Sequence, residues 1–163
     1  MNSVTIRPIR SDDAEGFWRA LCSVIDEKVY LATDEHPPIE RTRAFVEKSV
    51  SNGWVQFVAQ DNGTIIGWCD ILARDEAQPD LGVTGMGLMA PYRGKGIGEK
   101  LLRTALGAAQ VKGFTTIRLD VWAENAPAIA LYTKLGFEHV RAYSKPDRPA
   151  RILHDMVWRG FAS

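Results

Sequence analysis

The chain has 163 residues, its 20 basic and 20 acidic residues cancel, and 45% of its residues are hydrophobic. These values are ordinary for a single globular domain over residues 1–163, and the balanced charge gives no reason to expect a nucleic-acid partner. No apolar run approaches the ~18 residues of a membrane helix. The two cysteines and three histidines show no metal-ligand spacing. We therefore expect a cytoplasmic protein with no membrane segment and no metal.

The first part of the chain combines strand and helix patterns. A short alternating segment predicts a strand over residues 4–9, and apolar spacings of three and four predict helices over residues 14–25 and 40–50. Two β-rich segments, residues 54–60 and 64–72, flank an Asn-Gly turn and predict a hairpin.

The second part holds a glycine-rich strand and a helix between two strands. Polar residues 74–80 predict a turn, and residues 81–89 predict a strand whose three glycines indicate a bulge or a close approach to the backbone. The remaining predicted helices and strands cover residues 99–112, 115–122, 126–135, 138–143 and 151–158. Polar residues 145–149 predict the last turn. A helix between two central strands requires a parallel pair, whereas hairpins give antiparallel pairs, so we expect an α/β or α+β fold with a mixed sheet.

Residues 92–98, which read Tyr-Arg-Gly-Lys-Gly-Ile-Gly, lead directly into a predicted helix. Glycines at every second position expose backbone N–H groups, and a helix start adds unpaired donors and the positive end of its dipole. Arg93 and Lys95 add positive charge. The segment lacks the third glycine of the dinucleotide fingerprint, where Glu99 stands, and the Ser or Thr of the nucleotide P-loop. It predicts a site for a phosphate-like anion, with a plain helix-capping turn as the alternative.

Residues 86–98 resemble the acetyl-CoA motif of the GNAT N-acetyltransferase superfamily. Residues 119–125, followed by residues 128–132 and 135–137, resemble its second motif. The two motifs occur in the order of that superfamily and the resemblance spans nearly the whole chain. One departure is a proline shifted by one position, with Ala90 where proline is usual and Pro91 after it.

The resemblance implies a mixed, mostly antiparallel sheet of about six or seven strands with about four helices. Its central parallel pair would splay apart, and acetyl-CoA would lie in the resulting gap with its pyrophosphate on the glycine segment. Backbone groups of the preceding strand would pair with the pantetheine amides as an added strand does. The cofactor-binding residues that the resemblance implies are Met86, Gly87, Leu88, Arg93, Gly94, Lys95, Gly96, Ile97, Gly98, Asn125 and Tyr132.

The catalytic candidates are Tyr132, Asp120 and Asp70. Tyr132 occupies the position of the superfamily's usual general acid, and its alternative is a core tyrosine on its helix. Asp120 stands where some members that acetylate protein N-termini place a base, and a structural acid is the alternative. Asp70 is predicted on a strand face with apolar neighbours, where an unpaired charge is costly, so a substrate role and a paired structural role stay open. Asn125 can cap its helix and contact the cofactor at once.

The resemblance implies an acetyl-CoA-dependent N-acetyltransferase that needs no metal and acts by direct attack in a ternary complex. The expected acceptor is the primary amine of a small or amino-acid-like molecule. The alternatives are a protein N-terminal or lysine acetyltransferase and a binding module for acyl-CoA without turnover. A homodimer is possible by analogy with relatives.

Overall fold

The computed structural model describes residues 3–161, within which it contains seven strands and four α-helices in one mixed α/β arrangement. The strands are β1 (Val4–Pro8), β2 (Val55–Asp61), β3 (Thr64–Asp75), β4 (Gln78–Leu88), β5 (Thr116–Trp122), β6 (Glu138–Lys145) and β7 (Arg148–Trp158). The helices are α1 (Ala14–Asp26), α2 (Ile39–Asn52), α3 (Ile97–Lys112) and α4 (Ala126–Lys134). None of the helices in this part of the chain is long and apolar enough to cross a membrane.

The strands form one sheet in the order β1-β2-β3-β4-β5-β7-β6. β4 and β5 pair in parallel, through Leu81–Val83 of β4 and residues 116–118 of β5. The pairing is antiparallel between β1 and β2 and between β2 and β3. It is also antiparallel between β7 and each of its neighbours, β5 and β6. The predicted mostly antiparallel sheet with a central parallel pair and four helices is confirmed.

The chain divides into two compact units, and the single domain predicted for residues 1–163 stays a prediction. The first unit consists of residues 3–71 and Gly85–Ala108. Its core lies between α1, α2 and the strands, where the Phe17 and Trp68 rings meet edge to face with their centroids 5.7 Å apart. The buried residues of this core are Ile9, Ala14, Phe17, Ala20, Val24, Val46, Val58, Ile65 and Trp68.

The second unit consists of Leu72–Thr84 and residues 109–161. Alternate residues of β5, namely Ile117, Leu119 and Val121, are buried, so the opposite face of this strand carries its polar side chains. The Trp158 indole N–H donates to the Leu135 carbonyl at 3.1 Å. This contact fixes the end of α4 against β7.

The helix predicted to follow the glycine segment is present as α3, and its apolar stripe is fully buried. The stripe consists of Ile97, Leu101, Leu102, Ala105, Leu106 and Ala109. The helix begins at Ile97, inside the glycine segment, as its spacing predicts.

The two polar segments predicted as turns are mostly strand, and those predictions were wrong in extent. β3 continues to Asp75 and β4 starts at Gln78, while β6 continues to Lys145 and β7 starts at Arg148. Each connection is therefore a two-residue turn between long strands. Both faces of these strand ends are largely exposed, so no alternation of apolar and polar residues marks them, and backbone pairing rather than side-chain burial maintains the extended chain.

Gly87 is required by packing, and its substitution gives the first prediction. A Cβ atom at Gly87 would lie 2.2 Å from Cη2 of Trp68, a residue that is 4% exposed and cannot move freely. We expect Gly87→Ala to lower the free energy of unfolding by about 1–3 kcal/mol, measured by urea denaturation.

Gly107→Ala is the matched control, because a Cβ at Gly107 in α3 meets no atom within 4 Å. This variant should be neutral or up to about 1 kcal/mol more stable, since alanine favours helix over glycine. Equal unfolding midpoints for the two variants would contradict the packing role of Gly87.

Candidate functional site

The loop before α3 presents backbone donors in the arrangement that the sequence predicts. Gly94 and Gly96 adopt φ values of 75° and 82°, which glycine accommodates without strain, and an added Cβ at either would meet no atom within 4 Å. In the part of the chain that the structure describes, no carbonyl accepts a hydrogen bond from the N–H groups of residues 94–98. These donors lie at the positive end of the α3 dipole, so the loop can hold an oxyanion.

The Arg93 side chain is held by its neighbours in the first unit. Its guanidinium donates to both carboxylate oxygens of Glu27, at 2.7 and 2.6 Å, and its Nε donates to the Leu88 carbonyl at 2.9 Å. It also lies 4.4 Å from the centroid of the Tyr30 ring. The hydrogen bond to Glu27 raises the pKa of Arg93. Arg93 therefore ties the glycine loop to the end of α1 and to β4, and direct contact with a ligand stays a prediction.

Lys95 is the second cation of the loop. Its ammonium lies 5.9 Å from the centroid of the Tyr92 ring and the side chain is exposed. The Tyr92 hydroxyl is itself hydrogen-bonded to Asp61, which raises the pKa of Tyr92. Lys95 is thus the cation of this segment whose charge faces solvent, where a phosphate could approach it.

The end of β4 carries the residues predicted to pair with an extended ligand. Met86, Gly87 and Leu88 are half-buried. The sequence analysis explains the glycines by the approach of a ligand, and the structure adds another reason, since the Trp68 ring fills the space beside Gly87. Backbone pairing of these residues with a ligand stays a prediction.

Asp70 lies on β3 in the first unit and has a carboxyl group that titrates near neutrality. Burial raises its pKa to about 7, and a hydrogen bond from the Gly85 backbone N–H opposes this rise. The register pairs Asp70 directly with Gln56 of β2, so the two side chains share a face of the sheet.

Gln56 was missed by the sequence analysis. It is 2% exposed, and neither its amide oxygen nor its amide nitrogen has a hydrogen-bond partner among the described residues. The sequence does contain a signal for Gln56. It is a polar residue two positions before Val58, so it lies on the apolar face of the predicted strand.

Asp120 lies on the polar face of β5 in the second unit, and it is exposed. The Tyr143 hydroxyl donates a hydrogen bond to its carboxylate. Burial is the main cause that raises the pKa of Tyr143 to about 12, and this hydrogen bond adds to it. The phenol therefore stays protonated near neutral pH and holds the Asp120 carboxylate in place.

A cavity of about 310 Å³ lies beside this pair, and its lining includes Arg74, Arg118, Arg141 and Asp155. Arg118 donates to the Asp155 carboxylate at 2.8 Å, and Arg141 approaches the same oxygen at 3.5 Å. Sequence analysis missed these arginines because charged residues on an exposed strand face are ordinary surface residues and do not mark a site by themselves.

Asn125 and Tyr132 mark the start and the middle of α4. The Asn125 side chain accepts a hydrogen bond from the Ala128 backbone N–H at 3.3 Å, so the predicted cap is confirmed. Tyr132 is half-buried and its ring centroid lies 5.7 Å from that of Phe137. Its predicted role as a general acid stays a prediction.

The candidates are thus divided between the two units. Asp70, residues 86–88 and residues 93–98 belong to the first unit, whereas Asp120, Asn125 and Tyr132 belong to the second. In the described chain, no group of three or more His, Cys, Asp or Glu side chains could hold a metal ion.

Comparison with known proteins identifies similar sequences and folds. Residues 18–137 match the model of the acetyltransferase (GNAT) family. The chain is 30% identical to an N-alpha-acetyltransferase RimI of Mycobacterium tuberculosis over 138 residues, which are 84% of this chain and 80% of that protein.

Two crystal structures show the same fold. A ribosomal-protein-alanine N-acetyltransferase from Brucella melitensis superposes with a TM-score of 0.86 at 20% identity, covering 95% of this chain and 99% of that one. A phosphinothricin acetyltransferase from Sinorhizobium meliloti in complex with acetyl-CoA gives a TM-score of 0.86 at 23% identity, covering 96% of this chain and 88% of that one.

The raised pKa of Asp70 predicts a specific dependence of stability on pH. In the folded protein Asp70 binds its proton up to about pH 7, whereas in the unfolded chain it ionises near its ordinary value of 3.8. The folded state binds more protons in this window and loses stability as the pH rises through it, by up to about 4 kcal/mol. Asp70→Asn removes this loss, so the variant should gain stability relative to the wild type from about pH 4 to pH 7.

Urea denaturation of both proteins across this window measures the difference. Because the two chains differ at one residue, all other titrating groups cancel in the comparison. A stability difference that does not change with pH would contradict the raised pKa.

Proposed function

Since the chain belongs to the GNAT acetyltransferase family, we propose that it transfers acetyl from acetyl-CoA to the primary amine of an amino-acid-like small molecule. Members of this family are acetyl-CoA-dependent N-acetyltransferases, and this chain is one of them. The proposal concerns the acceptor, the direct attack of its amine in a ternary complex, and the residues that support the reaction.

The observation that carries the proposal is the set of N–H groups at residues 94–98, which donate to no carbonyl within residues 3–161. A pyrophosphate needs several donors that converge without charge-neutralising acids among them, and a glycine loop at a helix start supplies such donors. The open space beside Gly94 and Gly96 leaves room for phosphate oxygens close to the backbone. These residues, with Lys95, would hold the diphosphate of acetyl-CoA, which supplies the reactive thioester when bound.

Acyl transfer to an amine requires a neutral amine, a stabilised oxyanion and a protonated leaving thiolate. Tyr132 would donate a proton to the thiolate, since a phenol is a suitable acid for a leaving thiolate at neutral pH. Asn125 orients α4 through its cap and so positions Tyr132. Backbone groups of Met86, Gly87 and Leu88 would bind the pantetheine arm.

Two carboxylates are candidates for the base that receives the amine proton. Asp120 is exposed and held by Tyr143, so it can meet an amine without rearrangement. Asp70 has a pKa of about 7, which makes it a stronger base than an ordinary carboxylate. We assign the base to Asp120 because it stands where some family members that acetylate protein N-termini place a base and because its side chain is open to solvent, and Asp70 is the alternative.

An acceptor of about the size of one amino acid fits the cavity beside Asp120. The volume of this cavity, about 310 Å³, is at the lower end of the range of about 300–1,000 Å³ that is typical of small-molecule sites. A protein N-terminus is the second candidate acceptor. It is favoured by the 30% identity to an N-alpha-acetyltransferase over 84% of this chain.

Lys95→Gln tests the proposed diphosphate site. Removing one cation next to the phosphates should raise the Kd for acetyl-CoA by about fivefold at low salt, and by less at high salt because salt screens an exposed charge. Calorimetric titration at two salt concentrations measures both effects.

Lys48→Gln, which removes an exposed lysine from α2 in the same unit, is the control and should bind acetyl-CoA as the wild type does. Equal affinity of the Lys95 and Lys48 variants at both salt concentrations would exclude Lys95 from the diphosphate site.

Asp120→Asn tests the assignment of the base. Loss of a general base lowers kcat/KM by about 10²-fold or more, while the Kd for acetyl-CoA should stay unchanged. Thiol release from acetyl-CoA with saturating and limiting amine measures the rate. Asp147→Asn, which alters an exposed aspartate in the turn between β6 and β7, is the control and should keep wild-type rates. If Asp70→Asn shows the large loss and Asp120→Asn does not, the base is Asp70.

A further inference from the structure

The polar face of the second unit concentrates charged side chains around one cavity. The cavity of about 310 Å³ is lined by three arginines, two aspartates and a tyrosine: Arg74, Arg118, Arg141, Asp120, Asp155 and Tyr143. They come from four different strands, since β3, β5, β6 and β7 each contribute at least one. Such convergence of charged side chains from separate strands requires a specific arrangement, so the cavity is more than a gap between surface side chains.

The positive charges of this cavity exceed the negative charges. Asp155 is the shared partner of Arg118, at 2.8 Å, and of Arg141, at 3.5 Å. One carboxylate thus serves two guanidinium groups, and the longer distance is at the outer limit of a hydrogen bond. Within residues 3–161, Arg74 has no ion-pair partner.

Asp120 is the second carboxylate of the cavity, and within the described chain it makes no ion pair with an arginine. Asp120 accepts a hydrogen bond from Tyr143 and is exposed, so it is held in place but not neutralised. The Arg141 guanidinium lies 4.6 Å from the centroid of the Tyr143 ring, which fixes the orientation of the cation. The cavity therefore offers one carboxylate for an amine and, next to it, guanidinium groups with unused donors.

We propose that this cavity binds an acceptor whose amine lies at Asp120 and whose carboxylate is bound by Arg74 and Arg141. This inference rests on the proposed acetyltransferase function and specifies its substrate class as an amine that carries a carboxylate within the same amino-acid unit. The source is a free amino acid or a peptide whose first residue is acidic. Guanidinium groups suit this task because they bind carboxylates through two parallel hydrogen bonds.

The charge balance also disfavours acceptors that carry a second positive charge. A polyamine or a second cationic group would meet three arginines with a net positive charge among the lining residues, which opposes its binding. An amine without a carboxylate would make no ion pair with Arg74 or Arg141, so these guanidinium groups would not contribute to its affinity. The predicted order of affinity is therefore carboxylate-bearing, neutral and then cationic acceptors.

The test compares the binding of matched reaction products, because acetylation removes differences in amine basicity. One pair is N-acetyl-L-alanine and its amide, and the other is an acetylated tripeptide amide that begins with aspartate or with asparagine. Calorimetry in the presence of saturating coenzyme A gives the Kd of each for the wild type. We expect the carboxylate member of at least one pair to bind about tenfold more tightly than its neutral partner. The pair that discriminates identifies the source as a free amino acid or a peptide.

Arg74→Gln should reduce this preference to less than about threefold, since it removes one carboxylate ligand. Arg141→Gln is a second variant with the same expectation. Arg159→Gln is the matched control, because Arg159 is exposed in the same unit and does not line the cavity, and it should keep the wild-type preference. Loss of preference in Arg159→Gln, or its retention in both cavity variants, would overturn the proposal.

Turnover separates this inference from the proposed function. If neither product pair discriminates in the wild type, or if no product binds, the carboxylate site is wrong. If amines without a carboxylate release thiol from acetyl-CoA in that case, the acetyltransferase function is still supported. If carboxylate products bind selectively and no amine in a broad panel releases thiol, the cavity is supported and the proposed small-amine acceptor fails.

Discussion

The backbone conformation of residues 94–98 is the constraint on which the proposed acetyl-CoA site depends. Left-handed glycines keep the N–H groups of this loop away from carbonyl partners, and each glycine costs about 1 kcal/mol in backbone freedom. Arg93 offsets this cost by binding Glu27, the Leu88 carbonyl and the Tyr30 ring at once. A bidentate, half-buried ion pair is geometrically more demanding than a surface pair, so it fixes the start of the loop. The arginine that looks like a phosphate ligand in the sequence thus supports the loop that presents the backbone donors.

The polar face of β5 shows a second local conflict that neighbouring groups resolve. Asp120 and Asp155 are direct partners in the β5–β7 register, and like charges opposite one another destabilise a sheet. Each has a different partner, since Tyr143 donates to Asp120 and Arg118 donates to Asp155. A sheet selected for stability alone would not place two carboxylates there. Such locally unfavourable arrangements are typical of functional sites.

Local sequence patterns were sufficient to predict much of the fold and the conformation of the glycine loop. The stripe of α3, the cap at Asn125 and the glycine loop are each encoded within about a dozen residues, so periodicity and turn chemistry predict them. The ends of β3, β4, β6 and β7 were predicted as turns because exposed strand ends show no alternation. Gln56 was missed for another reason, since its importance comes from its pairing with Asp70 and from the lack of a hydrogen-bond partner for its amide within the described part of the chain. Neither property can be derived before the strands are paired.

The difference between local patterns and properties that depend on strand pairing also explains why the acetyl donor, acetyl-CoA, is easier to infer than the acetyl acceptor. At the proposed site acetyl-CoA would be held largely by backbone groups, and only certain residues allow the backbone to come so close, which leaves a recognisable spacing of glycines. The acceptor that we propose would be held by side chains such as Arg74 and Arg141, which lie on hairpin strands where many residues are sterically tolerated. Solved structures at 20–23% identity share the fold of this chain, and one fold can carry different side chains at the acceptor site. The acceptor that we propose rests on the charged side chains of the polar face of the second unit, which favour a carboxylate beside the amine.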